Sequence, residues 1–132
     1  MKKIILDTNF LMIPYEFRVD IFSEFDRIFS LNYRLYIYEE SINELKNISE
    51  MQKGRDKLAA KFALKLIKLK NIGVIKSEHK DVDSIILENA DENAIIATQD
   101  SNLRRELRKM GASVILLRQK KYLTYIERKL YK

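Results

Sequence analysis

Lys3-Ile4-Ile5-Leu6-Asp7-Thr8-Asn9 is a short apolar run that stops on a carboxylate, followed by two small polar residues. An unbroken apolar run of this length reads as a buried strand rather than as one face of a helix. Ala94-Ile95-Ile96-Ala97, followed at once by Thr98-Gln99-Asp100, repeats the pattern late in the chain. Three further runs fit strands: residues 35–38, rich in β-formers, then Val74-Ile75, then residues 114–117.

Helical spacing fills the intervals. Ile21, Phe22, Phe25, Ile28 and Phe29 give residues 19–29 one apolar face. Residues 9–15 hold the only proline, Pro14, and are expected to be irregular. Ser41 opens a helix with Glu44 at the capping-box position, and Ile42, Leu45 and Ile48 continue its apolar side. Gly54 separates it from a long helix, 55–71, with Leu58, Phe62, Leu66 and Leu69 on one face and Lys57, Lys61, Lys65 and Lys68 on another. Gly73 ends that helix. Asp81 or Asp83 starts a helix reaching about residue 90, and Asp100 caps a helix over 101–110 that Gly111 terminates. The basic tail, 118–132, is anchored by Tyr122, Leu123, Tyr125 and Ile126 and fits strand or helix. Strands alternating with helices predict a three-layer α/β/α sandwich around a mainly parallel, about five-stranded sheet. The 132 residues fit a single domain, 1–132, without internal repeat or linker.

Composition narrows the chemistry. With 46% hydrophobic and 33% charged residues the balance is that of an ordinary soluble chain. The absence of cysteine removes disulfides and thiolate zinc sites. His79 is the one imidazole, in what reads as a solvated loop, so any bound metal must be held by oxygen, which favours a hard cation. The first apolar run is too short for a signal peptide, and no stretch approaches a membrane span, so a cytoplasmic protein is expected. A formal net charge of +6 and a pI near 9.4 attract polyanions.

In open α/β sheets, ligands bind beyond the carboxyl ends of the strands. Asp7 and Asp100 follow the first and fourth strands, Glu44 lies early in the helix after the second, and Asp83 lies early in the helix before the fourth. Singly, each has a structural role open to it. Asp7 suits a turn, Glu44 a capping box with Ser41, and Asp83 and Asp100 suit helix N-termini, where negative charge is favoured. Together at one sheet edge they would repel one another unless a cation neutralised them, and Mg²⁺ or Mn²⁺ suits an all-oxygen, water-retaining site. Asp81 and Asp91-Glu92 are neighbouring alternatives for the third acid. Asp83 is preferred for its spacing, with Asp81 as a cap and Asp91 as a turn residue.

These motifs resemble the PIN-domain family: Ile4-Ile5-Leu6-Asp7-Thr8-Asn9, then Asn43-Glu44-Leu45, then Asp83 ahead of Ile85, Ile86 and Ala90, then Thr98-Gln99-Asp100. Asn9-Phe10-Leu11-Met12-Ile13-Pro14 and Leu117-Arg118-Gln119-Lys120-Lys121-Tyr122-Leu123 look closest to archaeal VapC-like toxins, a subgroup that also resembles the PIN domains of ribosomal-RNA processing factors. The resemblance implies a Mg²⁺- or Mn²⁺-dependent ribonuclease acting on single-stranded RNA. Asp7, Glu44, Asp83 and Asp100 would hold the metal, and Asn9 and Thr98 would orient its ligands. Arg104, Arg105, Arg108, Arg118, Lys120 and Lys121 would meet flanking phosphates, although a solvated helix face explains each of them equally well. The implied partners are an antitoxin and a second copy of the chain, and seven Tyr with six Phe provide material for an exposed patch to be covered. A haloacid-dehalogenase-type phosphatase would need an acid where Asn9 stands, and a phosphorylation receiver would need paired acids after the first strand. The non-enzymatic alternative is a silent PIN domain used as an RNA-binding or assembly scaffold.

Overall fold

Ile4, Ile5 and Leu6 are all buried, as an unbroken apolar run requires of a strand covered on both faces. In the computed structural model, which describes residues 1–77 and 80–128, this strand is β1 (Lys2–Leu6). It pairs in parallel with β2 (Tyr33–Tyr38) on one side and β4 (Ile95–Ala97) on the other. Beyond β2 lies β3 (Gly73–Ile75), and beyond β4 lie β5 (Ser113–Arg118) and an antiparallel β6 (Tyr122–Ile126). The order β3-β2-β1-β4-β5-β6 means that the chain builds outward from β1, crosses back, and builds outward again. The reversal leaves a crevice at the carboxyl ends of β1 and β4, the topological switch point.

The sheet has six strands because the undecided tail supplies β6. Its hairpin turn places Gln119 at φ 52° and Lys120 at φ 56°, with Lys121 N–H donating to Arg118 O at 3.0 Å. Two consecutive left-handed residues match the twist of a tight hairpin, a job usually given to Asn-Gly, which this sequence lacks. The tail beyond residue 128 and the expectation for His79 lie outside the described residues.

One sheet face is covered by a 3-10 turn (Thr8–Met12), α1 (Ile13–Phe17), α2 (Ile21–Phe29), α3 (Glu39–Met51) and α4 (Gly54–Leu69), and the other by α5 (Val82–Asn89) and α6 (Ser101–Lys109). Residues 9–15 are therefore ordered rather than irregular. Pro14 sits in the first turn of α1, where its missing N–H has no partner to lose. Ser41 does not cap α3: β2 runs straight into the helix at Glu39, and Ser41 is wholly buried two residues further on. Gly73 lies inside β3, where a Cβ would come within 2.6 Å of the Tyr36 ring. Among the described residues no helix is long and apolar enough to cross a membrane.

α4 departs most from expectation. Its inward side is Ala59, Ala60, Ala63, Leu66 and Ile67, whereas Leu58 is 48%, Phe62 40% and Leu69 77% exposed. Small residues face inward because α4 lies against α3 and α1, and alanines let helices approach closely. Ala63→Leu should therefore cost about 1–3 kcal/mol from overpacking, while Leu69→Lys should stay within about 0.5 kcal/mol. Urea unfolding with an unchanged slope checks both. Equal losses would show that this packing is misassigned.

Candidate active site

Asp7 directly follows the central strand and is 5% exposed. Its backbone N–H donates to Ala97 O at 2.9 Å, continuing the β1–β4 ladder up to the switch point. Both carboxylate oxygens receive donors: Thr8 N–H reaches Oδ1 at 2.8 Å, and the Thr98 hydroxyl reaches Oδ2 at 2.7 Å. Thr98 is itself fully buried, and its Oγ1 accepts the N–H of Asp100 at 3.1 Å. One hydroxyl thus ties the acid after β1 to the acid after β4.

Asp100 behaves as the N-cap of α6, with Oδ1 accepting the N–H groups of Asn102 at 2.9 Å and Leu103 at 3.1 Å. Its other oxygen has no protein donor among the described residues. Gln99 Oε1 accepts Leu117 N–H at 2.8 Å, pinning this segment to β5. The Thr8 hydroxyl donates to Ser41 Oγ at 2.8 Å in the interior, which locks the turn after β1 to the first turn of α3 and sets where Glu44 stands. Neither Thr8 nor Ser41 was identified from sequence as a positioning residue. The Asp-Thr-Asn motif held a signal for Thr8, but Ser41 looked like a cap.

Asp7, Glu44, Asp83 and Asp100 line one cleft of about 500 Å³, joined by Thr8, Asn9 and Asp81. Asp81 caps α5 through Ser84 N–H at 2.7 Å, and Asp91 accepts Asn93 N–H at 2.8 Å in a turn, as expected of each. None of the four acids has a Lys or Arg salt-bridge partner among the described residues. Burial pushes the Asp7 carboxyl above its ordinary range, against the pull of Thr98 and Thr8, and Asp100 pushes it further. Glu44 is raised chiefly by lost hydration on its cleft side, although the residue as a whole is exposed. Thr8 opposes the shift, and Asp7, Asp83 and Asp81 add to it. Asp83 is raised by burial, then by Asp7, Asp100 and Asp81.

Among the described residues no three such side chains converge closely enough to ligate one ion unaided. That does not suit a dehydrated all-protein cage. The donor set instead fits a small hard cation that keeps much of its water shell and takes one or two carboxylates directly. Of the basic residues, Arg104 donates to Thr98 O at 3.2 Å, and its pKa is lowered by burial and by nearby Arg118, with Asp100 opposing. Arg108 Nη1 instead reaches the carbonyls of Ala112, Ile126 and Glu127, each at 3.3 Å, and so ties α6 to β6. Arg105 bonds Asn102 on its own helix, Lys120 stands 5.9 Å from the Phe17 ring, and Lys121 is exposed.

The raised acids set the sign of a pH effect. A folded chain that binds these protons more tightly than the unfolded chain has stability that is full below the ordinary carboxylate range and is lost as pH rises through the raised values. In EDTA the protein should therefore be less stable at neutral than at mildly acidic pH. Asp83→Asn should raise the neutral melting temperature by roughly 2–4 °C. Scanning calorimetry across pH checks this, and a flat parent profile would remove the mutual repulsion it rests on.

The sequence matches the model of the PIN like domain over residues 4–120. It is 32% identical over 126 residues to Ribonuclease VapC4 of Methanocaldococcus jannaschii, covering 92% of this chain and 95% of that one. It is 31% identical over 117 residues to Ribonuclease VapC9 of Archaeoglobus fulgidus, covering 89% and 84%. The fold is similar to that of the PIN domain endonuclease Utp24, with a TM-score of 0.77 at 17% identity over 98% of this chain and 96% of that one. A domain of a functionally unknown protein from Methanocaldococcus jannaschii superposes with a TM-score of 0.60 at 18% identity, covering 100% and 99%. The match across most of its length, together with its fold, makes this chain a member of the PIN-like domain family.

Proposed function

We propose that the chain, acting as one PIN domain over 1–132, is a cytoplasmic ribonuclease that cleaves single-stranded RNA with Mg²⁺ or Mn²⁺. The observation that carries this is the acid cleft itself: four carboxylates at the switch point, three of them raised and none in a salt bridge among the described residues. A scaffold would gain nothing from that repulsion. The names of the two ribonuclease relatives point the same way.

Asp7, Glu44, Asp83 and Asp100 would hold the cation, directly or through its waters. The cation, when bound, supplies charge neutralisation at the phosphate and a lowered pKa for the attacking water. Thr98 fixes the Asp7 carboxylate and the start of α6 with one hydroxyl, and Asn9, exposed at the cleft mouth, would orient the water shell. Arg104 and Arg118 near Asp100 would take a flanking phosphate, and Arg105, Lys120 and Lys121 would meet phosphates further out. Arg108 serves the fold. A cleft of about 500 Å³ admits a splayed single strand more readily than a rigid duplex. The stripe Leu58, Phe62 and Leu69 on α4 is the surface that a second copy or an antitoxin would cover.

Purified protein with Mn²⁺ should cleave single-stranded RNA, EDTA should abolish cleavage, and Asp100→Asn should reduce it by about two orders of magnitude or more. His79→Ala should leave the rate nearly intact. Gel analysis of labelled RNA reads all of these, and cleavage surviving both EDTA and Asp100→Asn rejects the mechanism. Bound Mn²⁺ without cleavage of any RNA favours the scaffold. Sedimentation that shows only monomer at high concentration removes the homodimer.

A further inference from the structure

The second sheet face carries a groove that the acid cleft does not account for. It measures about 620 Å³, against about 500 Å³ for the cleft, a size typical of small-ligand sites. It opens because α5 and α6 are short, at 8 and 9 residues, and leave the β1–β3 side of that face thinly covered. The floor is hydrocarbon: Ile5, Ile75 and Ile85, with Tyr38.

The rim is polar and specific in kind. Asn89 Nδ2 donates to Ile85 O at 2.8 Å, which fixes that amide and leaves its oxygen as an acceptor. The Asn93 side-chain amide makes no bond to protein among the described residues, so it keeps both donors and its acceptor. Three lysines, Lys3, Lys76 and Lys80, face two acids, Glu88 and Asp91, and Glu88 is already paired with Lys80 at 2.7 Å. Lys76 has no anionic partner among the described residues. An apolar slot, amides at its edge and a lysine surplus together match the parts of a nucleotide: the base's flat face, its hydrogen-bonding edge and its phosphate.

The groove and the cleft are lined by neighbouring residues of one segment. Lys80 lines the groove and Asp81 the cleft, and along α5 Asp83 faces the cleft while Ile85 and Asn89 face the groove. The geometry points to a subsite for one nucleotide of the RNA flank, its base on the isoleucine floor and its phosphate on Lys76 and Lys3. The identity of that nucleotide's polymer rests on the ribonuclease reading, whereas binding in the groove does not.

The test uses methyl-labelled isoleucine in the full chain, in EDTA so that no cleavage occurs, titrated with nucleoside 5′-monophosphates and separately with inorganic phosphate. The nucleotides should shift the Ile5, Ile75 and Ile85 methyls through the ring current of the base. Ile13 and Ile48, which line a different cavity, should stay in place. Lys76→Glu should weaken the titration by about tenfold, and Lys76→Arg should retain it. The variants' own methyl spectra report whether they fold. Shifts centred on Ile13 and Ile48, a full response to phosphate alone, or no response at about 10 mM nucleotide would each overturn the subsite. RNA cleavage in the Mn²⁺ assay without groove shifts in the titration removes the subsite and leaves the nuclease. Groove shifts in the titration without cleavage in the Mn²⁺ assay leave the subsite and remove the nuclease.

Discussion

Asp7 has to carry a carboxylate where water scarcely reaches, and its neighbours are arranged around that demand. A buried charge is tolerated only when hydrogen bonds replace its hydration. Thr8 N–H and the Thr98 hydroxyl do so from opposite sides, at 2.8 and 2.7 Å. Because those donors come from the turn after β1 and the segment after β4, solvating Asp7 also fixes the two lips of the cleft. The Thr8–Ser41 bond then extends the constraint to α3, and Gln99 extends it to β5. Asp7 and Asp100 are held by neutral donors and Glu44 meets the Thr8 hydroxyl, so none of these three carboxylates is placed by a salt bridge.

Such an arrangement works against stability. Raised acids without basic partners would push the fold apart without a cation, and binding a divalent ion would reverse that. The two sheet faces divide the remaining work. Five helical segments on one face supply most of the core, while two short helices on the other leave room for a second, apolar-floored groove.

What the sequence disclosed depended on whether one residue or a relation between residues carried the information. β1 and β4 were legible because three buried residues in succession have few other uses. The Asp100 cap was legible because Asp followed by a helical pattern is a local signal. The inner face of α4 was not, because hydrophobicity favours Leu58, Phe62 and Leu69 whereas helix proximity selects Ala59, Ala60 and Ala63, and proximity is not written locally. Ser41 was misread for a similar reason: a serine near a helix start looks like a cap until its distant partner, Thr8, is known. β6 was hidden because its turn uses Gln119 and Lys120 in left-handed conformations without the usual glycine. Connectivity alone placed Asp7, Glu44 and Asp100 at one sheet edge, but whether Asp83 joined them depended on how its helix packs, and the absence of salt bridges to them could only be seen in three dimensions.

The bond between Thr98 and Asp7 joins residues 91 positions apart. Contacts of that span form late, since a long loop must close before they contribute. During synthesis the amino-terminal half can lay down β1, β2 and the helices α1 to α4, but the cleft still lacks one lip and Asp7 lacks its second donor. A nascent chain that has emerged only to β3 therefore holds two of the four acids and no assembled site. If the acids do the cutting, a nuclease made beside messenger and ribosomal RNA comes into being unarmed, and is armed only when its fourth strand docks.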